Sequence, residues 1–166
     1  MKAIHSILFK ILGLVFIVAA MSCQKNAAPM DDIDLLVYGY PIKLMAPDSA
    51  VVKVKNLSFM KDITVIHEPS NYNVQILVSQ VSNKTKDEFK QDILRETKQN
   101  PYFAELIEDY ENGFIFKNEI DSIPSFDFRM ILFKGEYEYI YQTGLSANFS
   151  LEEVQRMYQA VDYPKK

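Results

Sequence analysis

Residues 72–81 keep a period of two: Tyr72, Val74, Ile76 and Val78 fall at every second position, with Asn73, Gln75 and Ser79 between them. Successive side chains of a strand point to opposite faces, so this pattern demands a long strand with one apolar and one wet face. Such a strand cannot stand alone; its apolar face has to be covered, and the flanking sequence supplies the cover. Ile42 and Leu44 alternate with Pro41 and Lys43 before the turn residues Pro47, Asp48 and Ser49. Residues 51–55 and 63–67 are rich in β-branched side chains and are bounded by polar turns at Lys61-Asp62 and 69–71, which predicts two further strands.

The period then changes. Thr85 and Glu88 have capping-box spacing, and Phe89, Ile93 and Thr97 recur at helical intervals, which predicts an amphipathic helix over 84–98. Asn100-Pro101 can open a second helix over 102–110, while Leu106 to Tyr110 before Glu111-Asn112-Gly113 reads equally as a hairpin arm; the reading adopted is helix first, then hairpin. Residues 114–120, 126–133 and 137–142 follow as a meander, with turns at 121–124 and Lys134-Gly135. Ser150 and Glu153 repeat the capping-box spacing, and Leu151, Val154, Met157, Tyr158 and Val161 make one apolar stripe before Pro164. The fold class expected is α+β: an antiparallel sheet with the helices packed on one face.

Ahead of this body stand Lys2 and Lys10, then an apolar run over 11–20 broken only by Gly13, then Ala19, Ala20 and Ser22 before Cys23, the one cysteine of the chain. The run is shorter than the ~20 residues a helix needs to cross a bilayer, and it suits a signal-peptide h-region. The end of the segment resembles a bacterial lipobox of the relaxed, Bacteroidota type, with Ala20 where Leu is usual. That resemblance implies cleavage after residue 22 and a diacylglyceryl thioether on Cys23, usually with an amide-linked third chain, and so a durable membrane anchor. Gln24 in the next position points to the outer membrane. Residues 23–34, with Pro29 and the acids Asp31, Asp32 and Asp34, read as a lipidated tether, and 35–166 as a single domain. The acids come later than a surface-export signal would place them, so the domain is expected to face the periplasm.

Without Lys2 and Lys10 the chain carries 16 basic residues against 22 acidic ones, a net charge of −6. An acidic balance of this kind argues against nucleic acid as a partner. From Leu35 to Val161 the order of elements resembles the PsbP-like α+β fold, shared by photosystem II extrinsic proteins and many bacterial lipoproteins. The points of similarity are Tyr40-Pro41-Ile42-Lys43-Leu44-Met45-Ala46-Pro47, the helix over 85–98, Gly113-Phe114-Ile115-Phe116 and the closing helix over 150–161. The resemblance implies an accessory or binding module and transfers no functional residue.

Residues that carry chemistry are sparse. His67 is the only histidine after the leader, and its neighbour Glu68 would point to the opposite face of a strand, so neither a triad nor a zinc site is expected. No Gly-rich phosphate loop or G-x-S-x-G elbow occurs. Tyr137, Tyr139 and Tyr141 alternate with Glu136, Glu138, Ile140 and Gln142 and would share one sheet face, either as core beneath the last helix or as an aromatic platform for a sugar, peptide or protein. Glu136 and Glu138 are expected on the other face, solvated. Asp48-Ser49-Ala50 and Asp121-Ser122-Ile123 look like Bacteroidota-type O-glycosylation acceptors, with Ser49 and Ser122 as the sites. The function expected is a membrane-tethered, non-enzymatic binding lipoprotein of the envelope, without cofactor or metal, acting on a protein or glycan partner. A carrier holding a lipid or glycan between sheet and helix is the alternative.

Overall fold

Among the residues that the computed structural model describes, 28–145 and 148–162, nine strands and two helices follow one another. β1 (Met30–Asp34) and β2 (Lys43–Pro47) form a separate antiparallel hairpin, joined through a 3-10 turn at Leu35–Tyr38. β3 (Val51–Asn56), β4 (Lys61–His67) and β5 (Tyr72–Gln80) come next, with a second 3-10 turn at Glu68–Ser70. Then follow α1 (Lys86–Gln99), β6 (Phe103–Tyr110), β7 (Gly113–Ile120), β8 (Ile123–Lys134), β9 (Tyr137–Thr143) and α2 (Leu151–Val161). The seven strands β3 to β9 form one antiparallel sheet in the order β3-β4-β5-β9-β8-β7-β6. The mixed α+β class expected from the sequence is the one observed.

Local chemistry accounts for the joints. The β7–β8 turn holds only Asp121 and Ser122, at φ 51° and 64°, the left-handed pair that lets a two-residue turn follow the twist of its strands. Both helices open on complete capping boxes, Thr85 with Glu88 and Ser150 with Glu153. A cap contributes about 1 kcal/mol, whereas each fully buried apolar side chain contributes about 1.5–3 kcal/mol. The caps therefore set where α2 begins, and the burial of Val154, Met157, Tyr158, Ala160 and Val161 holds it in place.

Three expectations are corrected. Residues 30–34, read as the end of a tether, are β1: Met30 and Ile33 are partly buried against the main core, Asp31 and Asp32 are exposed, and every residue of the strand pairs with β2. Residues 102–110, read as helix first, contain β6, which pairs with β7 through two register shifts. The helices do not share a face. Ile115 and Phe128 lie opposite each other and pack with Val154, Met157 and Tyr158 of α2. Phe114 and Phe116, on the other side of β7, pack with Leu94 of α1. The reason is topological: α1 leaves β5 and returns to the far edge strand β6, behind the sheet, while α2 follows the central strand β9 and crosses the front beneath the β1–β2 hairpin.

Candidate functional site

The tyrosine row lies on one face, as its alternation requires, and that face is the core. Tyr139 and Tyr141 are fully buried with the residues of the β1–β2 hairpin and α2, and only Tyr137, at the strand's start, is exposed. Tyr137 meets Tyr139 edge-on, with centroids 6.5 Å apart. A platform of three rings open to a ligand does not exist here; the hairpin, whose first strand was assigned to the tether, covers it. Burial pushes the phenol of Tyr141 well above its usual pKa and that of Tyr139 upward as well.

His67 ends β4, half buried, and its Nδ1 lies 2.8 Å from Ser70 Oγ, across the one-turn 3-10 helix. Beside it a polar groove of about 980 Å³ runs between residues 67–71 and the first turns of α2. Its polar groups bind one another: Asn71 Nδ2 donates to Glu153 Oε1 at 2.9 Å, and Arg156 Nη2 donates to the Ser70 carbonyl oxygen at 2.7 Å. Burial raises the Glu153 pKa, but bonds from the Ser150 backbone, Asn71 and the Ser150 hydroxyl outweigh it and hold the carboxyl below its usual range. The groove joins turn to helix, and His67 serves that turn. Among the described residues no three His, Cys, Asp or Glu side chains are grouped to hold a metal ion.

The back of the sheet offers a broader surface. α1 covers β6 to β8 there, but among the described residues no helix lies over the back of β3, β4, β5 and β9, because α2 and the hairpin sit in front. Two rows cross these four strands: Lys53, Thr64, Gln75 and Gln142, then Lys55, Asp62, Leu77 and Ile140. Gln142 Nε2 donates to Gln75 Oε1 at 2.8 Å, and Gln75 Nε2 donates to Asp62 Oδ2 at 2.9 Å. The linked amides and carboxylate fix each other's orientation while staying partly open to water. One row further, Glu138 departs from expectation: it is only 6% exposed and accepts from Ser79 Oγ, Ser82 N and Ser82 Oγ at 3.0–3.2 Å. Neither serine was legible as its partner, since pairing brings them from 59 and 56 residues away. Arg129 takes no part in this cluster: it pairs with Asp127 at 2.7 Å and lies over the Phe116 ring at 5.1 Å.

A second cleft opens where β8 runs on past the β6–β7 turn. It measures about 290 Å³ and is lined by Ile42, Met130, Leu132, Phe133 and Tyr141, with Lys43, Lys86 and Lys134 among its polar lining. Lys86 is held by Asn112 Oδ1 at 2.6 Å and Lys43 by Asp34 at 3.1 Å.

Ser49 and Ser122 are both exposed at turns, each at φ 64°, and the Ser49 hydroxyl donates to the Asp48 carbonyl oxygen. Cys23, the signal peptide over 1–22 and the tether up to residue 27 lie outside the described residues. Among the described residues no helix is long and apolar enough to cross a membrane. No protein family, curated protein or solved structure matches the chain.

Proposed function

We propose that this protein is a membrane-tethered, non-enzymatic binding lipoprotein of the bacterial cell envelope. Acyl chains on Cys23 hold it to the periplasmic side of the outer membrane, and its PsbP-like domain presents the bare back of β3, β4, β5 and β9 to a protein or glycan partner. The observation that carries this reading is the hydrogen-bonded ladder of Asp62, Gln75 and Gln142 on that face, edged by the exposed Lys53 and Lys55. Donors and acceptors already held in place lose little side-chain freedom on meeting a polar partner, which favours binding. Tethering adds effective concentration: β1 begins seven positions after Cys23, a span of at most about 25 Å even fully extended.

Two measurements test the two halves. Mass spectrometry of the mature N-terminus reads acylation of Cys23, and an unmodified thiol would end the lipoprotein reading. A photo-crosslinking residue at Gln142 in living cells is expected to give one discrete adduct, and the same residue at exposed Glu96 on α1 none. Equal labelling at both positions would remove the sheet face from the proposal.

The cleft beside β8 supports a second reading, a carrier for a small anionic amphiphile, because apolar walls there meet lysine side chains. At about 290 Å³ it stands at the lower limit of ligand pockets, ~300 Å³, so the surface reading is preferred. Native mass spectrometry that finds a bound lipid would reverse that order.

A further inference from the structure

The ends of the strands place three loops together. β5 finishes beside the start of β9, with Gln80 paired to Tyr137 and the Val81 N–H bonded to the Glu136 carbonyl oxygen. Lys61 pairs with Val78, so the β3–β4 turn, residues 57–60, stands at the same end. Ile42 and Lys43, just past the 3-10 turn, line one cleft with Leu132 and Lys134 at the end of β8, while Met45 further along β2 takes the hydroxyl of Tyr72 from the other end of β5. The 3-10 turn of the β1–β2 hairpin is thereby brought to this end as well.

Each loop tip here carries apolar side chains in water. Val37 is 81% exposed and Phe59 78%, and Leu36, Tyr38, Leu57 and Tyr137 are exposed beside them. Lone exposed apolar residues are ordinary, but several gathered on adjoining loops mark an interaction site. The charges around them select the occupant. Lys55, Lys61 and Lys134 are exposed here and take part in none of the ion pairs among the described residues; Glu136 is the exposed acid of the same loops, and Asp34 is paired with Lys43. The other end also exposes apolar residues, Tyr102, Ile120 and Ile123, but beside Glu119 and Asp121. Apolar and aromatic tips set among lysines match the boundary of an anionic bilayer, where rings and aliphatic groups enter the interface and each lysine is drawn to the surface charge.

We infer that this loop end docks on an anionic lipid surface, with Leu36, Val37, Tyr38 and Phe59 entering the headgroup layer. The inference rests on the lipoprotein reading, which puts the domain at a membrane. The reach is sufficient. The chain enters at the opposite end, where Ala28 borders the groove beside His67, and β1 runs back toward the loop tips over ~17 Å. Residues 23–29 extend to at most about 25 Å, enough for an anchored cysteine and the tips to meet one bilayer.

The chain has no tryptophan, so one introduced indole reports alone. The full processed protein carrying Phe59→Trp, and separately Ile123→Trp as the far-end control, is placed in vesicles of phosphatidylglycerol and phosphatidylethanolamine that contain a brominated lipid. The indole at position 59 is expected to shift to the blue and be quenched by the brominated chains, while the control stays water-exposed. Each of Lys55→Gln, Lys61→Gln and Lys134→Gln lowers the ratio of docked to undocked protein about fivefold. Quenching at position 123 instead, or at neither position, overturns docking. A blue shift at position 59 without quenching also overturns it, in favour of a second copy or another protein on the tips. Protein that floats with the vesicles and carries acylated Cys23, yet shows no quenching, isolates the failure to docking; an unmodified Cys23 isolates it to the anchor.

Discussion

The Tyr72 hydroxyl donates to the Met45 carbonyl oxygen at 2.8 Å, so the first residue of β5 ties the β1–β2 hairpin to the main sheet. Tyr139, three rows along the same face, has a buried hydroxyl with no hydrogen-bond partner among the described residues. Two buried tyrosines of one core thus have opposite polar status. Tyr72→Phe is expected to lower stability by about 1 kcal/mol, whereas Tyr139→Phe, which removes a desolvated group with nothing to bind, is expected to be neutral or to stabilise by up to about 1 kcal/mol. Urea unfolding of the two variants and the parent checks the order; equal losses would contradict it.

Alkaline pH acts through the same rings. Burial pushes the phenols of Tyr72 and Tyr141 far above their usual range, with the Arg156 charge a smaller opposing influence on Tyr72 and the neighbouring Tyr139 adding to the rise for Tyr141. A folded-state pKa above the unfolded value near 10 leaves this stability fully present below pH 10 and removes it as pH rises beyond. Each ring is expected to lower stability by about 1.4 kcal/mol per pH unit above 10. Urea midpoints between pH 9 and 11.5 read the slope, and Tyr141→Phe should make it shallower.

Lys90 is buried on α1 and donates to Asp109 Oδ1 at 2.6 Å and to the Tyr110 carbonyl oxygen. Asp109→Asn withdraws the countercharge from a nearly enclosed ammonium, at a cost of about 1–2 kcal/mol, moderated because Asp109 is half exposed. Lys90→Met keeps the apolar stem and leaves an aspartate that water reaches, so the loss is expected below about 1 kcal/mol. Thermal melts at pH 7 decide; a larger loss for Lys90→Met would show that the ion pair, more than the packing of the stem, holds α1.

Gly113 and Gly144 fill close approaches of different kinds. A Cβ on Gly113 would stand 2.1 Å from the Arg129 carbonyl oxygen, part of the β8 backbone, and one on Gly144 would stand 2.2 Å from the Asn73 side chain. Backbone in mid-sheet yields less than a side chain. Gly113→Ala is expected to cost about 3 kcal/mol or more and Gly144→Ala about 1–2 kcal/mol, by differential scanning calorimetry.

What could be read from the residues was whatever repeats locally. The alternation from Tyr72 to Val78, the Thr85/Glu88 and Ser150/Glu153 boxes and the stripe of α2 each lie within a few turns of chain, and each appears at its expected place. β6 escaped because its two register shifts break the period of two, and the adjacent Leu106 and Ile107, packed against different cores, mimic a helical stripe. β1 escaped because Met30 and Ile33 are too few to announce a strand among three aspartates. That omission concealed part of what covers Tyr139, so the platform stood as an alternative to the core reading until the hairpin was placed. The side of the sheet taken by each helix, and the serines around Glu138, depend on pairings across the chain that no local pattern encodes.

β8 turns Phe128 and Met130 to the α2 side, while Phe133 meets Phe89 of α1 edge-on at 5.7 Å and Arg129 covers Phe116 on the same flank. A single thickness of backbone is therefore the wall of both cores. Neither side can loosen without baring one flank of that wall, so the domain is expected to open all at once, with no half-folded form worth populating. In the envelope setting proposed for this protein, such all-or-none opening would keep cleavable chain out of the reach of proteases for as long as the fold holds.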